Sequence, residues 1–229
     1  MAITSFYFLC FFAALLLLYY SIPRRFQWGF LLLCSVIYLL LAGQGALILY
    51  PFVSIAACHT GTRLLAGTPA EEEKKRRAVL AVTILVNIGI LFALKYVNFL
   101  INTADGVVHL LGGPKDLISG VDFLVPLGVS FYTFSLLGYV IDVYYGLAAH
   151  QENGLKLALY GLYFPNLISG PILKYREHAD QFFAPHAFDY RQVTRGLQRM
   201  VWGFFKKLVI SERLGVLVIS RSVRLMAVG

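Results

Sequence analysis

Long apolar runs dominate the first 150 positions of the chain. Neither residues 3–22 nor residues 26–62 contain an Asp, Glu, Lys or Arg. A helix rises about 1.5 Å per residue and a bilayer core is about 30 Å thick, so the second run is too long for one crossing. It divides at Gly43-Gln44-Gly45, a typical break, into 26–42 and 46–62. With the apolar segments 79–101 and 126–147, the pattern predicts five membrane spans.

Two prolines and one mixed segment refine this prediction. Pro51 predicts a kink in the third span, because proline removes a backbone hydrogen bond. Residues 102–125 mix polar and apolar side chains and contain Gly112-Gly113-Pro114, so they predict a loop or a partly inserted segment. Pro126 suits the first turn of the fifth span.

The pattern changes after residue 150. Residues 155–175 are apolar, but Pro165 and Gly170-Pro171 interrupt them. Broken backbone at membrane depth needs shelter from lipid, so this segment predicts a re-entrant or discontinuous helix. Residues 188–212 are amphipathic and predict a helix lying at the cytoplasmic interface, with its basic face toward anionic headgroups. The cations of that face are Arg191, Arg195, Arg199 and Lys206.

Composition supports a membrane protein. Hydrophobic residues make up 59% of the 229 positions, charged residues 14%, and mean hydropathy is +0.71. Soluble domains carry about 25% charged residues, so a soluble enzyme, a disordered chain and a disulfide scaffold are excluded. The three cysteines are far apart and form no C-x-x-C pair. The predicted fold is therefore all-α, a single multi-span helical domain over residues 1–229.

The net charge of +8 reports orientation rather than nucleic-acid binding. Arg24 and Arg25 follow the first span, and a charged run over 68–78 follows the third. The connection after span two has no cation, and the connection after span four has only Lys115. Positive residues favour the cytoplasmic side, so the N-terminus is predicted outside and residues 63–78 inside.

Few residues suggest chemistry. The chain has no phosphate-binding glycine loop and no metalloprotease or hydrolase motif. The five histidines have no metal-ligand spacing, and each taken alone is typical of an interfacial or solvated side chain. Asp142 lies inside the fifth span, where a carboxylate is either functional or an interfacial residue bonded to nearby tyrosines. Tyr132 and Tyr139 of the same span either line a polar lumen or pack against other helices.

Four sequence blocks resemble the membrane-bound O-acyltransferase family, in its alginate O-acetyltransferase and D-alanyl transfer branch. VPLGVSFYTFSLLGYVIDVYYG (125–146) and YFPNLISGPILKYREHADQF (163–182) are the two longest. LKYVNFL (94–100) and GLQRMVWGFFKKLVISERL (196–214) are the shorter two, and all four come in the family order.

The resemblance implies an all-helical enzyme of the bacterial cytoplasmic membrane, built around a funnel. It implies transfer of an acyl group, acetyl in the alginate branch, to hydroxyls of an extracytoplasmic polysaccharide. The donor is expected to be an acyl thioester that acts as substrate, and no bound cofactor or metal is expected. Membrane lipid, soluble or periplasmic acyl-transfer partners and the acceptor polysaccharide are the implied partners; nucleic acid is not. The candidates for the substrate path are Tyr132, Tyr139, Asp142, Gly170, Pro171, Lys174 and Tyr175.

The family's catalytic histidine block has no counterpart in this sequence, so no catalytic residue is assigned. The expectation is that the chain corresponds to an N-terminal half that transfers no acyl group alone. Two other functions stay open. The broken segment and Asp142 are also typical of half of a transporter or channel, and a non-catalytic membrane scaffold would retain the same fold.

Overall fold

A computed structural model describes residues 6–41, 47, 49–110, 127–170, 172–211 and 213–214. Throughout this part of the chain the regular structure is helical. The helices are α1 (Phe6–Ser21), α2 (Gln27–Leu41), α3 (Leu49–Gly67), α4 (Glu73–Leu110), α5 (Val129–Tyr144), α6 (Gly154–Leu162), α7 (Phe164–Ser169), α8 (Tyr175–Phe183) and α9 (Tyr190–Phe205). A 3₁₀ turn over Arg24–Phe26 precedes α2, and π-type turns over Lys206–Ser211 continue α9.

Among the residues that the structure describes, two stretches are long and apolar enough to cross a bilayer. They are Arg24–Leu41 and Glu73–Val97, and the most apolar 18-residue window of the second has a mean hydropathy of 2.3. Helices α1 and α5 are apolar but shorter, with 16 residues each. The all-helical fold class is therefore confirmed.

Helix α4 is longer than the predicted span at 79–101. Its 38 residues give a length of about 57 Å. It begins within the charged run, where Glu73 supplies an acidic first turn and pairs with Arg77 one turn later. It also continues through 102–110, because those residues contain no proline to stop a helix. A loop was one of the two expectations for 102–125 and is wrong for this part; a partly inserted segment stays a prediction. The Gly112-Gly113-Pro114 sequence and Pro126 lie outside the described residues.

The third helix is described from Leu49, while the predicted start at 46 lies outside the described residues. Because α3 begins at Leu49, Pro51 falls in its first turn, where a backbone N–H has no intrahelical acceptor in any case. The proline is therefore compatible with the start of the helix, and the kink stays a prediction. The Gly43-Gln44-Gly45 turn is outside the part that the structure describes.

The segment predicted to be interrupted consists of three short helices. Helix α6 ends at Leu162, because a helix continuing into Pro165 would set its ring against the carbonyl of Gly161. Helix α7 then runs for 6 residues with Pro165 near its start, and Gly170 ends it in an extended conformation. After extended residues 172–174, Tyr175 begins α8. Pro171 lies outside the described residues.

Two apolar cores hold the helices together. The larger lies among α3, α4, α5 and α6, with Leu136, Val140 and Leu157 fully buried. The smaller lies among α1, α2 and α7, where the rings of Phe8, Tyr38 and Phe164 pack at centroid distances of 5.7–6.3 Å. Helix α9 has no buried residue.

Arg76 joins the ends of α3 and α5. Its guanidinium donates to the carbonyls of Leu65 (3.0 Å) and Thr68 (3.2 Å), and to that of Tyr144 (2.8 Å). The last carbonyls of a helix have no partner within it, and they carry the negative end of the helix dipole. One cation therefore caps two helices from the start of a third.

Replacing Arg76 by alanine should lower the free energy of unfolding by about 2–3 kcal/mol, because half-buried carbonyls lose a charged donor. Chemical unfolding of the purified protein in detergent measures the change. The matched control is Lys75→Ala, which breaks an exposed pair with Glu72 at 3.1 Å and should cost about 0.5 kcal/mol or less. Equal losses for the two variants would show that Arg76 does not cap the helices.

Candidate functional site

Four connections between helices come together at one end of the bundle, here named the loop end. They are residues 22–26, 68–72, 145–153 and 184–189. Arg76 ties the second to the end of α5, and the ammonium of Lys156 lies 5.9 Å from the ring centroid of Trp28. Gln27 binds the backbone of His186 twice, donating to its carbonyl (3.0 Å) and accepting from its N–H (2.8 Å). Most of the cations that set the predicted orientation therefore lie at this end.

The loop end brings together two histidines that are 91 positions apart in the sequence. The rings of His59, in the second half of α3, and His150, in the α5–α6 connection, lie 5.1 Å apart between centroids. His150 Nδ1 is hydrogen-bonded to Thr62 Oγ1 at 3.0 Å. Within the described chain, the buried Nδ1 of His59 has no hydrogen-bond partner. We name these residues the histidine pair.

Sequence reasoning missed the histidine pair, because it weighed each histidine alone. One signal was available. His59 lies near the end of the third predicted span and His150 just after the fifth, so both follow crossings that end on the same predicted side. Whether the two histidines lie close together on that side depends on how α3 packs against α5, and no local sequence pattern specifies this packing.

Three tyrosines from α5, α6 and α8 form a cluster next to the histidine pair. The ring of Tyr175 lies 4.4 Å from that of Tyr139 and 5.1 Å from that of Tyr160. Gln151 joins the cluster to the histidine loop: its backbone N–H donates to the Tyr139 hydroxyl (2.7 Å), and its side chain donates to that of Tyr175 (2.9 Å). The Tyr160 hydroxyl donates to the Leu173 carbonyl, which fixes the extended stretch before α8. We name Tyr139, Tyr160 and Tyr175 the tyrosine cluster.

The structure unites part of the predicted substrate path. Tyr139 and Tyr175 are in contact, and Tyr132 is buried two turns earlier on α5, with no hydrogen-bond partner for its hydroxyl in the described chain. Asp142 is half-buried in the last turn of α5, close enough to Tyr160 to interact electrostatically. Lys174 is exposed and pairs with Glu177 at 3.2 Å.

Gly170 ends α7 in close contact with the preceding turn. A Cβ atom at this position would lie 2.6 Å from the Asn166 Cα. Gly170 therefore packs closely on α7, and a side chain at this position would push the backbone of Gly170 away from Asn166. Pro171, the other predicted residue of the break, is outside the described residues.

The site supplies proton acceptors and hydrogen-bonding groups close to an aromatic wall. Imidazole, phenol and amide side chains can orient a polar substrate and accept or donate protons. Among the described residues, no group of three or more His, Cys, Asp or Glu side chains could hold a metal ion.

Packing lowers the pKa of His150 below its ordinary value of 6.5. Partial burial is the larger cause, and the neighbouring His59 and Arg63 add to it, while Glu152 opposes them. The folded protein therefore favours the neutral ring more than the unfolded chain does. The neutral His150 ring contributes fully to the stability of the folded protein above about pH 6.5, where the ring is neutral in both the folded and the unfolded state. This contribution is lost as pH falls from there toward the lowered pKa.

The protein should accordingly unfold at a lower temperature at pH 5.5 than at pH 7.5, and His150→Gln should reduce this difference. Thermal unfolding in detergent at the two pH values is the measurement. The control is His109→Gln, which removes an exposed histidine on α4 and should leave the difference unchanged. An unaltered pH dependence in His150→Gln would assign the effect to other groups.

Comparison with curated proteins identifies three kinds of relative. The chain is 31% identical over 200 residues to "Probable alginate O-acetylase AlgI" of Pseudomonas syringae pv. tomato, an alignment that covers 87% of this chain and 38% of that protein. It is 26% identical over 163 residues to "Peptidoglycan O-acetyltransferase" of Helicobacter pylori, covering 60% and 30%. It is 31% identical over 93 residues to "Teichoic acid D-alanyltransferase" of Lacticaseibacillus rhamnosus, covering 40% and 23%.

Neither a protein-family model nor a solved structure matches the chain. The chain spans about two fifths of the length of the alginate O-acetylase that it matches, since the alignment covers 38% of that protein. The names of the three relatives share acyl transfer and differ in the acceptor.

Proposed function

We propose that this chain forms part of an enzyme that O-acylates an extracytoplasmic polysaccharide, because it belongs to the membrane-bound O-acyltransferase family. Acetyl is the proposed acyl group and alginate the proposed kind of acceptor. The observation that carries the proposal is 31% identity over 87% of the chain to a probable alginate O-acetylase. Acyl transfer is also common to the names of the two more distant relatives.

The proposed location is the bacterial cytoplasmic membrane, with several crossings and the N-terminus outside. The positions of the cations support this orientation. Cations are retained on the cytoplasmic side of a membrane, and one end of the bundle holds Arg24, Arg25 and the 68–78 run. The loop end is then cytoplasmic. Helices α6, α7 and α8 enter the bundle from that end and return to it, which supports the proposal that they form a re-entrant segment.

In this arrangement the histidine pair and the tyrosine cluster face the side that supplies the acyl donor. A thioester donor from the cytoplasm and a sugar hydroxyl outside are both too polar to cross lipid. The broken helices and the polar groups of Gln151, Tyr139 and Tyr175 would line the inner part of a sheltered path between them. The proposed partners are the soluble or periplasmic proteins that deliver or pass on the acyl group, and the thioester is a substrate rather than a resident cofactor.

Deleting the coding region of this chain in the source bacterium tests the proposal. Alkali releases ester-linked groups from the exported polysaccharide, and the acetate can be quantified by chromatography. We expect the ester-linked acetyl content to fall to background and to recover when the intact gene is returned. A matched measurement of released D-alanine distinguishes an acetyl transferase from a D-alanyl transferase.

Other outcomes would support the alternative functions. Unchanged ester content would contradict the proposal. Unchanged ester content together with altered uptake of a small solute would favour the transporter function. Loss of acetylation that a distant, unaltered family member cannot restore would favour a scaffold that organises other proteins.

A further inference from the structure

A cavity of about 380 Å³ lies between α1, α2, α7 and α8, apart from the histidine pair. Its walls are mainly apolar and include Phe12, Leu15 and Leu16 of α1, and Leu31, Phe164 and Phe182 of the neighbouring helices. Its polar lining residues are Tyr19, Tyr20, Tyr163, His178, Gln181 and His186. Ligand-binding cavities of 300–1,000 Å³ have this composition, in which apolar walls meet a few convergent polar groups.

Two of the polar residues, Tyr19 and His186, meet at one end of the cavity. Phe12 and Tyr19 are seven residues apart on α1, so the walls extend about 10 Å along that helix. At the Tyr19 end, the Tyr19 hydroxyl is hydrogen-bonded to His186 Nδ1 at 3.0 Å. The buried Gln27 side chain holds the His186 backbone through two further hydrogen bonds, so the polar end is built by fixed contacts.

The position of the cavity indicates how a ligand reaches it. The outward side of α1 is apolar and exposed, with Leu17 at 74%. The polar end coincides with the loop end, next to the exposed Arg24 and Arg25. In the proposed membrane orientation, the apolar part lies at the depth of acyl chains and the polar part at the depth of headgroups.

We propose that this cavity binds one acyl chain of an anionic phospholipid from the leaflet at the loop end. The chain would lie along Phe12, Leu15 and Leu16, and the headgroup would meet Gln181 and His178. Arg24 and Arg25 would attract its phosphate, since cations near a membrane surface favour anionic lipid. The inference rests on the proposed membrane location, but not on acyl transfer.

Native mass spectrometry of the full chain, extracted from bacterial membranes in mild detergent, tests the inference. We expect a population carrying one phospholipid mass. Leu16→Trp fills the cavity and should reduce that population about tenfold, the equivalent of 1.4 kcal/mol. Leu17→Trp adds the same ring to the exposed side and should leave the population unchanged.

The headgroup is tested by exchange into nanodiscs of phosphatidylglycerol or phosphatidylcholine. The wild-type chain should retain phosphatidylglycerol preferentially, and the double variant Arg24→Gln, Arg25→Gln should lose that preference. Retention of a free fatty acid or an acyl thioester instead of a phospholipid would overturn the inference, as would equal lipid retention in Leu16→Trp and Leu17→Trp.

A phospholipid with a diazirine in its acyl chain covers the case in which Leu16→Trp fails to fold. In the wild-type chain it should label Leu31 or Phe182, which line the cavity and are only partly exposed. Labelling confined to exposed residues such as Leu17 would overturn the inference. Failure here is distinct from failure of the proposed location, since a chain recovered in the soluble fraction would contradict the location itself.

Discussion

Replacing Gly128 by alanine should destabilise the protein by about 3 kcal/mol or more, the sum of backbone strain and overpacking. Gly128 precedes α5 with φ of 72°, a left-handed conformation that L residues adopt at a cost. A Cβ atom here would lie 2.6 Å from the Leu167 carbonyl oxygen and 3.0 Å from the Leu167 Cα. Because these atoms belong to the backbone of α7, the clash can be relieved only by displacing the broken segment.

Gly146 provides the matched control. Its φ is 73°, but a Cβ atom there would meet nothing within 4 Å. Gly146→Ala should therefore cost only the conformational strain, about 1 kcal/mol. Chemical unfolding of both variants in detergent separates strain from contact. Equal losses would mean that α7 does not pack on Gly128 as closely as the structure shows.

The contact at Gly128 couples the position of α5 to that of α7. The two longest blocks that resemble the family contain these helices, and the glycine lets the start of one approach the backbone of the other. A variant that separates them would alter the position of the extended stretch that Tyr160 holds through the Leu173 carbonyl. Loss of stability at Gly128 should thus be accompanied by loss of the proposed acyl transfer.

The parts of the fold that depend on local chemistry could be predicted from the sequence. Pro165 ends α6 whatever the surrounding packing, because its ring excludes a continuing helix. Asn153 caps the start of the same helix by accepting a hydrogen bond from the N–H of Leu155 at 2.9 Å. The length of α4 was harder to predict. Its charged first turns and its last residues before Leu110 are compatible with either helix or loop. A prediction from hydropathy alone therefore began the helix too late and ended it too early.

The site depends on contacts that are distant in the sequence. Asp142 and Tyr139 were identifiable because a polar group in an apolar run is conspicuous by itself. The histidine pair was not, since neither residue is unusual in its own segment and the pair exists only where α3 packs against α5. Arg76 was similarly hidden, because its role is set by carbonyls at the ends of two other helices.

Asp142 should be required for the proposed acyl transfer. It follows Tyr139 by three residues on α5, so the two side chains share a face next to the tyrosine cluster. A carboxylate at the centre of a membrane helix costs about 2.5–3.5 kcal/mol without a partner. Its half-buried position near Tyr160 is consistent with a wet polar surrounding at the loop end. That surrounding is where the proposed path begins.

When the deletion strain is complemented with Asp142→Ala, ester-linked acetyl on the exported polysaccharide should be restored about tenfold less well than with the wild type, a difference of 1.4 kcal/mol. Glu71→Ala, which removes an exposed carboxylate from the 68–72 connection, should restore acetylation fully. Immunoblots of the membrane fraction must show equal protein levels for this comparison.

Asp142→Asn distinguishes two roles of the side chain. The amide keeps the size and the hydrogen-bonding oxygen but removes the negative charge and the ability to take up a proton. If the charge serves the path, the amide should be as defective as Asp142→Ala. If the carboxylate only anchors the end of α5 at the interface, the amide should restore acetylation to near the wild-type level. Wild-type acetylation with Asp142→Ala itself would remove Asp142 from the path and leave the tyrosine cluster as a packing feature of the fold.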